Sequence, residues 1–315
     1  MDLQALIDVA APGDLVKAPA GSYQIDAINA PLRLKSDITL DLSVAVLNAI
    51  PVMSATPSGE LGYHMVEIHG CNNVTIIGGT IVGERDKHLS GTAPEVGGFG
   101  HGISIQKGSR NIKVQNTKVS ACFADGIYIE DAFSVEIARV TSDRNRRQGM
   151  SVIQVDGLVV DSCQFSNTGG TPPGDGVDCE CDIDAQSIRN VQISRCVFVG
   201  NVGAGVAFGS PGTYANCRVT PDNSFDMHTQ PIWAGGNAAP LGTPLWAFLL
   251  NRSLGWTPGY RWWLSDELVS KMTEAASTPP LPQALLCHAM PSHALPSSAL
   301  LRHAAFQNHN RRKIP

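Results

Sequence analysis

Apolar and polar positions alternate in short stretches along most of this chain, and the stretches recur. GISI begins at Gly102, GIYI at Gly126, GMSV at Gly149, GVDC at Gly176 and GVAF at Gly205, at spacings of 24, 23, 27 and 29 residues. Between them runs a second set with an apolar-x-apolar-polar pattern, starting at Val74, Ile112, Val135, Leu158 and Val191. Most members are followed by a further apolar position, at Ile81, Val119, Phe165 and Phe198, with Ser142 breaking the row. Period-two alternation rich in Val and Ile, bounded by Gly, Asn, Asp and Ser, predicts short strands. A unit of about two dozen residues is too small to bury an apolar face alone, so the strands must stack coil on coil. The expectation is a solenoid of parallel sheets from about residue 15 to about residue 226, with apolar rows inside and polar rows outside. Amphipathic helices between strands, which a doubly wound α/β fold requires, are almost absent.

The opening LQALIDVAAPGDLVKAPAGSYQI resembles the entrance to right-handed parallel β-helix proteins of the pectin-lyase-like superfamily. There an amphipathic helix, here about Leu3–Ala10, caps the first coil, and a P-A-G-x-Y turn leads into it. The runs DRNRRQGMSV and PGDGVDCE are similar to uncharacterised bacterial and phage-associated members of that group. The resemblance covers about 225 of the 315 residues. It implies an all-β right-handed parallel β-helix over residues 1–226, with an N-terminal capping helix. Residues 227–315 would be an irregular, partly helical C-terminal cap or tail, partly disordered. The scaffold implies no single reaction, because it hosts lyases, hydrolases, epimerases, tailspikes and adhesins.

Composition fits one extended unit. Only 16% of residues are charged and there are 31 glycines, which suits tight corners between strands. The longest apolar runs, such as LWAFLL at 245–250, are too short to cross a bilayer, so no membrane partner is expected. No signal segment opens the chain; by fold analogy the setting is extracellular or phage-associated. The eight cysteines lack a zinc spacing; Cys163, Cys179 and Cys196 read as small interior fillers. Beyond residue 230, seven Lys and Arg stand against three acids, and all five tryptophans lie there. That segment carries a candidate helix near Ser265–Ala276 and a Pro-, Ala-, Ser- and His-rich tail. A shifted reading frame is an alternative origin for it. No motif supports nucleic-acid binding through its basic end.

Candidate chemistry follows from the phase of the glycine-led strands. The residues just before each glycine, and two and four after it, should face solvent on one sheet. The first row reads His101, Asp125, Gln148, Asp175 and Ala204. The second reads Ser104, Tyr128, Ser151, Asp178 and Ala207, and the third Gln106, Glu130, Ile153, Glu180 and Gly209. Asp125, Asp175 and Asp178 are the candidate acid–base groups. Carboxyls about 6.5–9.5 Å apart suit inverting glycoside hydrolysis, and clustered acids push one pKa upward. Arg146 and Arg147 are candidate substrate clamps or bases, Arg146 sharing the outward phase of Gln148 and Arg147 turning toward a neighbouring corner. His101, Tyr128, Gln148 and Glu180 would bind substrate, with Phe123 a second aromatic platform beside Tyr128.

No resident metal is required. Calcium is the one ion the pattern could recruit, through Asp175, Asp178 and Glu180. The competing structural reading makes the acids solvated corner residues, and the arginines an internal salt-bridge lattice. The functional expectation is a polysaccharide-active enzyme cleaving an extended, acidic glycan by hydrolysis or β-elimination. The alternatives are a non-catalytic tailspike- or adhesin-like module, which would form a homotrimer, and a uronan epimerase.

Overall fold

In the computed structural model, residues 2–52, 63–88, 100–209, 211–220, 222–226 and the strand 230–234 are described. The alternating stretches form three eight-stranded sheets, all parallel. Each coil gives one strand to the first sheet, one to the second and one to the third, in that order. The third sheet carries Leu32–Arg33, His64–His69, His101–Gln106, Ile127–Ile129, Met150–Val152, Val177–Cys179, Ala204–Phe208 and Gln230–Ala234. The expected helix near Ser265–Ala276, the tail and four of the five tryptophans lie outside the described residues, as does the side chain of Trp233.

Strict register turns the repeat into columns. Leu40, Ile76, Val114, Ile137, Val160, Ile193 and Val219 align inside the first sheet. Leu47, Ile81, Val119, Ser142, Phe165, Phe198 and Phe225 align in the second, where the last three rings stack with centroids 5.6 and 5.0 Å apart. These residues are buried. The break at Ser142 has a cause: its hydroxyl donates to Gly149 O at 2.7 Å and accepts from buried Asn145 at 2.8 Å.

The recurrent glycines are explained by close approach. A Cβ at Gly149 would stand 2.4 Å from Gly176 O and 2.9 Å from the Phe165 ring. At Gly176 it would meet Gly205 O at 2.6 Å and the Phe198 ring at 2.7 Å. The second sheet's inward column thus occupies the space a side chain would need.

The ends and corners use polar devices. Helix α1 (Leu3–Val9) is capped by Asp2, whose carboxylate accepts from Gln4 N, and it buries Leu3 and Ile7. The Gln4 amide takes Arg33 N at 2.8 Å and gives to Arg33 O at 3.0 Å, satisfying an edge that would otherwise invite pairing. In the PAGSY turn, Tyr23 donates its hydroxyl to Pro19 O at 2.7 Å. Left-handed backbone recurs in register at Asn111, Ser134, Asn190 and Asn216, and at Asn116, Arg139, Ser162 and Arg195. Asparagine tolerates this region, and its amides sew coils together, as in Asn111 to Asn73 (2.7 Å) and Asn216 to Asn190 (2.7 Å). The seven described cysteines are free and buried, the filler role expected of Cys163, Cys179 and Cys196.

Replacing Gly149 by Ala should therefore cost about 2–3 kcal/mol through overpacking. Urea unfolding checks this, and an unchanged midpoint would refute the close-approach account.

Candidate active site

The outward columns of the third sheet hold the polar residues. Glu67, Ser104, Tyr128, Ser151, Asp178 and Ala207 stand in strand register. Beside them the column His64, His101, Asp125, Gln148, Asp175 and Ala204 runs along the molecule. Its carbonyls are used: Asp125, Gln148, Asp175 and Ala204 accept from the glycine amide of the coil before. Its amides would be left without partners, and the side chains satisfy them. Asp125 N donates to His101 Nδ1 (3.3 Å), Gln148 N to Asp125 Oδ1 (3.1 Å) and Asp175 N to Gln148 Oε1 (2.6 Å). Ala204 N donates to Asp175 Oδ1. Each side chain thus caps the amide one coil further on.

Arg147 closes over this ladder. Its Nε donates to Asp125 Oδ1 at 2.7 Å and its Nη2 to Asp125 Oδ2, and Nη2 also reaches Ser151 Oγ at 3.3 Å. Asp125 is wholly buried. Burial opposes its charge, but the Arg147 guanidinium and its hydrogen bonds win and hold Asp125 well below the usual carboxylate range. Burial likewise works against the charge of Arg147, and Asp125 outweighs it, so the arginine is held more firmly protonated than usual.

Asp178 is the opposite case. Burial, reinforced by Glu180 and Asp175, pushes its carboxyl well above the usual carboxylate range, toward the neutral form. Its Oδ2 accepts from Gln148 Nε2 at 2.8 Å. Its Oδ1 is buried with no hydrogen-bond partner among the described residues. A buried carboxyl oxygen without a partner is a rare and costly feature. Glu180 stands two positions along the same strand direction, its stem packed over Gly209. Tyr128 donates to Glu130 Oε2 at 3.1 Å and stacks on His101, with centroids 4.5 Å apart.

The structure therefore brings Asp125, Asp175, Asp178, Arg147, Gln148 and His101 together on one wall, with Tyr128 and Glu180 beside them. It corrects four expectations. The columns do not lie open to solvent, since Asp125, Asp175, Asp178, Gln148 and Glu180 are all buried; alternation gives the direction of a side chain, while its neighbours decide exposure. Arg146 does not share the face of Gln148, and Arg147 takes that place. The segment is a turn, Arg146 N bonding Cys122 O and Arg147 N bonding Ala124 O, so strand alternation cannot be carried back through it. Arg146 lies over the Phe123 ring at 4.1 Å and donates to Phe123 O at 3.3 Å. Phe123 is not an open platform either, because His88 stacks on it at 3.5 Å. Nor do Asp175, Asp178 and Glu180 form a calcium cage. Among the described residues no three His, Cys, Asp or Glu side chains are set to hold a metal ion.

Two groups escaped the sequence reading. His64 and His69 belong to the same wall, since His64 pairs with His101 and His69 with Gln106. His64 stacks on His101 at 5.2 Å, and His69 Nε2 meets Ser104 Oγ at 2.9 Å. The match of HMVEIH to HGISIQ was the available signal. At the corner before this sheet, buried Glu84 accepts from Tyr63 (2.8 Å) and meets His88 Nδ1 (2.8 Å); nothing in the repeat points to it.

A family model for the right-handed β-helix region matches residues 56–180 and 100–238. The chain belongs to that family. Among curated proteins it is similar to the uncharacterised YclG of Bacillus subtilis, 30% identical over 60% of this chain and 36% of that protein. It is also similar to the SPbeta prophage-derived uncharacterised YorA of the same organism, 28% identical over 53% of this chain and 32% of that protein. The chain spans about a third of the length of these relatives. Among solved structures, the Yersinia enterocolitica family 28 exopolygalacturonase superposes with a TM-score of 0.50 at 13% identity. That match covers 73% of this chain and 56% of that one. It shows the shared parallel β-helix fold.

Burial, with Lys107 and Arg33 nearby, lowers His69 from 6.5 to about 4. A histidine depressed in the folded state contributes stability that is present above its unfolded value and lost as pH falls toward the folded one. Unfolding midpoints in urea should therefore drop between pH 6.5 and about 4. His69→Gln should flatten that part of the profile, and an unaltered slope would show that His69 is not depressed.

Proposed function

We propose that this chain hydrolyses a glycan lying along the third sheet, with Asp178 as general acid and Glu180 as the base that activates water. The supporting observation is Asp178 itself, a buried carboxyl pushed toward its neutral form whose Oδ1 has no partner among the described residues. A carboxylic acid kept neutral at ordinary pH can deliver a proton to a departing glycosidic oxygen. Residues two apart on a strand have Cα atoms about 6.6 Å apart. That is within reach of the about 6.5–9.5 Å carboxyl separation of inverting enzymes.

The arginines favour hydrolysis over elimination or epimerisation. Proton abstraction from a uronate would need a neutral base, and Arg147 is locked in its charged form by Asp125. Asp125 and Arg147 are then supports that shape the acid's surroundings. Acidic groups on the glycan fit better upstream, near Lys107, Arg33 and the histidines, than beside Asp175, Asp178 and Glu180. One observation favours a second reading: the ladder and the low exposure of the wall equally suit a module that only binds or builds a fibre.

Polygalacturonate, alginate and dextran should be offered to the full chain. The hydrolase reading expects new reducing ends without unsaturated, ultraviolet-absorbing products. Asp178→Asn should lower turnover at least about 100-fold with an unchanged circular dichroism spectrum. Unsaturated products would move the reading to elimination. Binding without turnover would establish the module.

A further inference from the structure

The polarity of the ladder decides which oxygen of Asp178 carries its proton. An amide N–H can only donate, so the Asp175 amide, 2.6 Å from the Gln148 side chain, must face its carbonyl oxygen Oε1. That fixes the flip of the Gln148 amide. Its NH₂ group then lies 2.8 Å from Asp178 Oδ2, and an NH₂ group also only donates. Oδ2 is therefore the accepting oxygen, and because the carbonyl oxygen of a neutral carboxyl is a better acceptor than its hydroxyl oxygen, this contact favours the proton on Oδ1. The reverse flip would set the Asp175 N–H against an NH₂ group at the same distance, with two donors opposed in a buried site.

We propose that Gln148 is a positioning residue that confines the proton of Asp178 to Oδ1, the oxygen left without a partner among the described residues. This rests on the assignment of Asp178 as the acid only for its catalytic consequence; the proton placement itself rests on hydrogen-bond polarity. The groups facing Asp178 are Asp175 and Glu180 from its own coil, Gln148 and Arg147 from the coil before, and Asp125 beyond them. In the reaction the Oδ1–H bond breaks and its proton goes to the glycosidic oxygen, which leaves with the electron pair of the carbon–oxygen bond. A water attacks that carbon and gives its proton to Glu180. Asp178 is left ionised, still held at Oδ2 by Gln148.

Infrared difference spectroscopy tests the placement without needing turnover. At neutral pH the wild type should show a protonated-carboxyl C=O band that Asp178→Asn removes. Because that carbonyl is Oδ2 and accepts from Gln148, the band should move to higher frequency in Gln148→Leu. A wild type without the band, or a band indifferent to Gln148→Leu, overturns the proposal. Gln148→Glu is the second variant, since it keeps an acceptor for the Asp175 amide and removes the donor to Asp178. There kcat on whichever of polygalacturonate, alginate and dextran the wild type cleaves should fall at least about 100-fold with KM little changed. Activity should return on a dinitrophenyl glycoside of the same sugar, whose leaving group needs no proton. Equal loss on both substrates would make Gln148 merely structural and overturn the proposal. If the band behaves as expected while every glycan is left intact, the hydrolase reading falls and the proton placement stands.

Discussion

Parallel, in-register stacking of successive coils is the constraint on which the rest of this molecule depends. Each strand bonds to its equivalent one coil away, about 4.8 Å along the axis. Any residue type that recurs at a given phase therefore becomes a continuous column. Three columns of Val, Ile, Leu and Phe make the core. The glycine column exists because Val119, Phe165 and Phe198 fill the space where its side chains would be. Asparagine and arginine columns take the left-handed corners. No coil is stable alone, and each is positioned by its neighbours.

The same constraint builds the polar wall. Where the chain bends into the third sheet, carbonyls bond back to the preceding coil and amides are left over. His101, Asp125, Gln148 and Asp175 answer those amides with side chains. The arrangement buries charge, which is tolerable for Asp125 because Arg147 pairs with it in two hydrogen bonds. At Asp178 burial, with Glu180 and Asp175 nearby, outweighs the pull of Arg147, and the carboxyl is pushed toward its neutral form. Two aspartates two coils apart on the same wall are thus shifted in opposite directions by their surroundings.

Most of the fold was legible because a solenoid is nearly one-dimensional: spacing along the chain maps directly onto distance along the axis. The phase rule drawn from the glycines correctly aligned Asp125, Gln148 and Asp175, and separately Ser151 with Asp178. It failed where its premise did. Arg146 and Arg147 sit in a turn, where period two does not hold. His64 and His69 were missed because their coil lacks the leading glycine that announced the others. Exposure was misread because Arg147 and Gln148 fold across the wall, and only the packing of both sides of a column shows that.

By itself the sequence determined the repeat, the inward and outward phases, the N-terminal cap and the residues that would share a column. Those are properties of periodicity, and backbone geometry converts them to structure with little freedom left. The tertiary structure alone decided which arginine meets Asp125, which carboxyl is pushed toward its neutral form and which way the Gln148 amide is turned. Pairing, desolvation and hydrogen-bond polarity depend on contacts between coils more than twenty residues apart, and no local pattern encodes them.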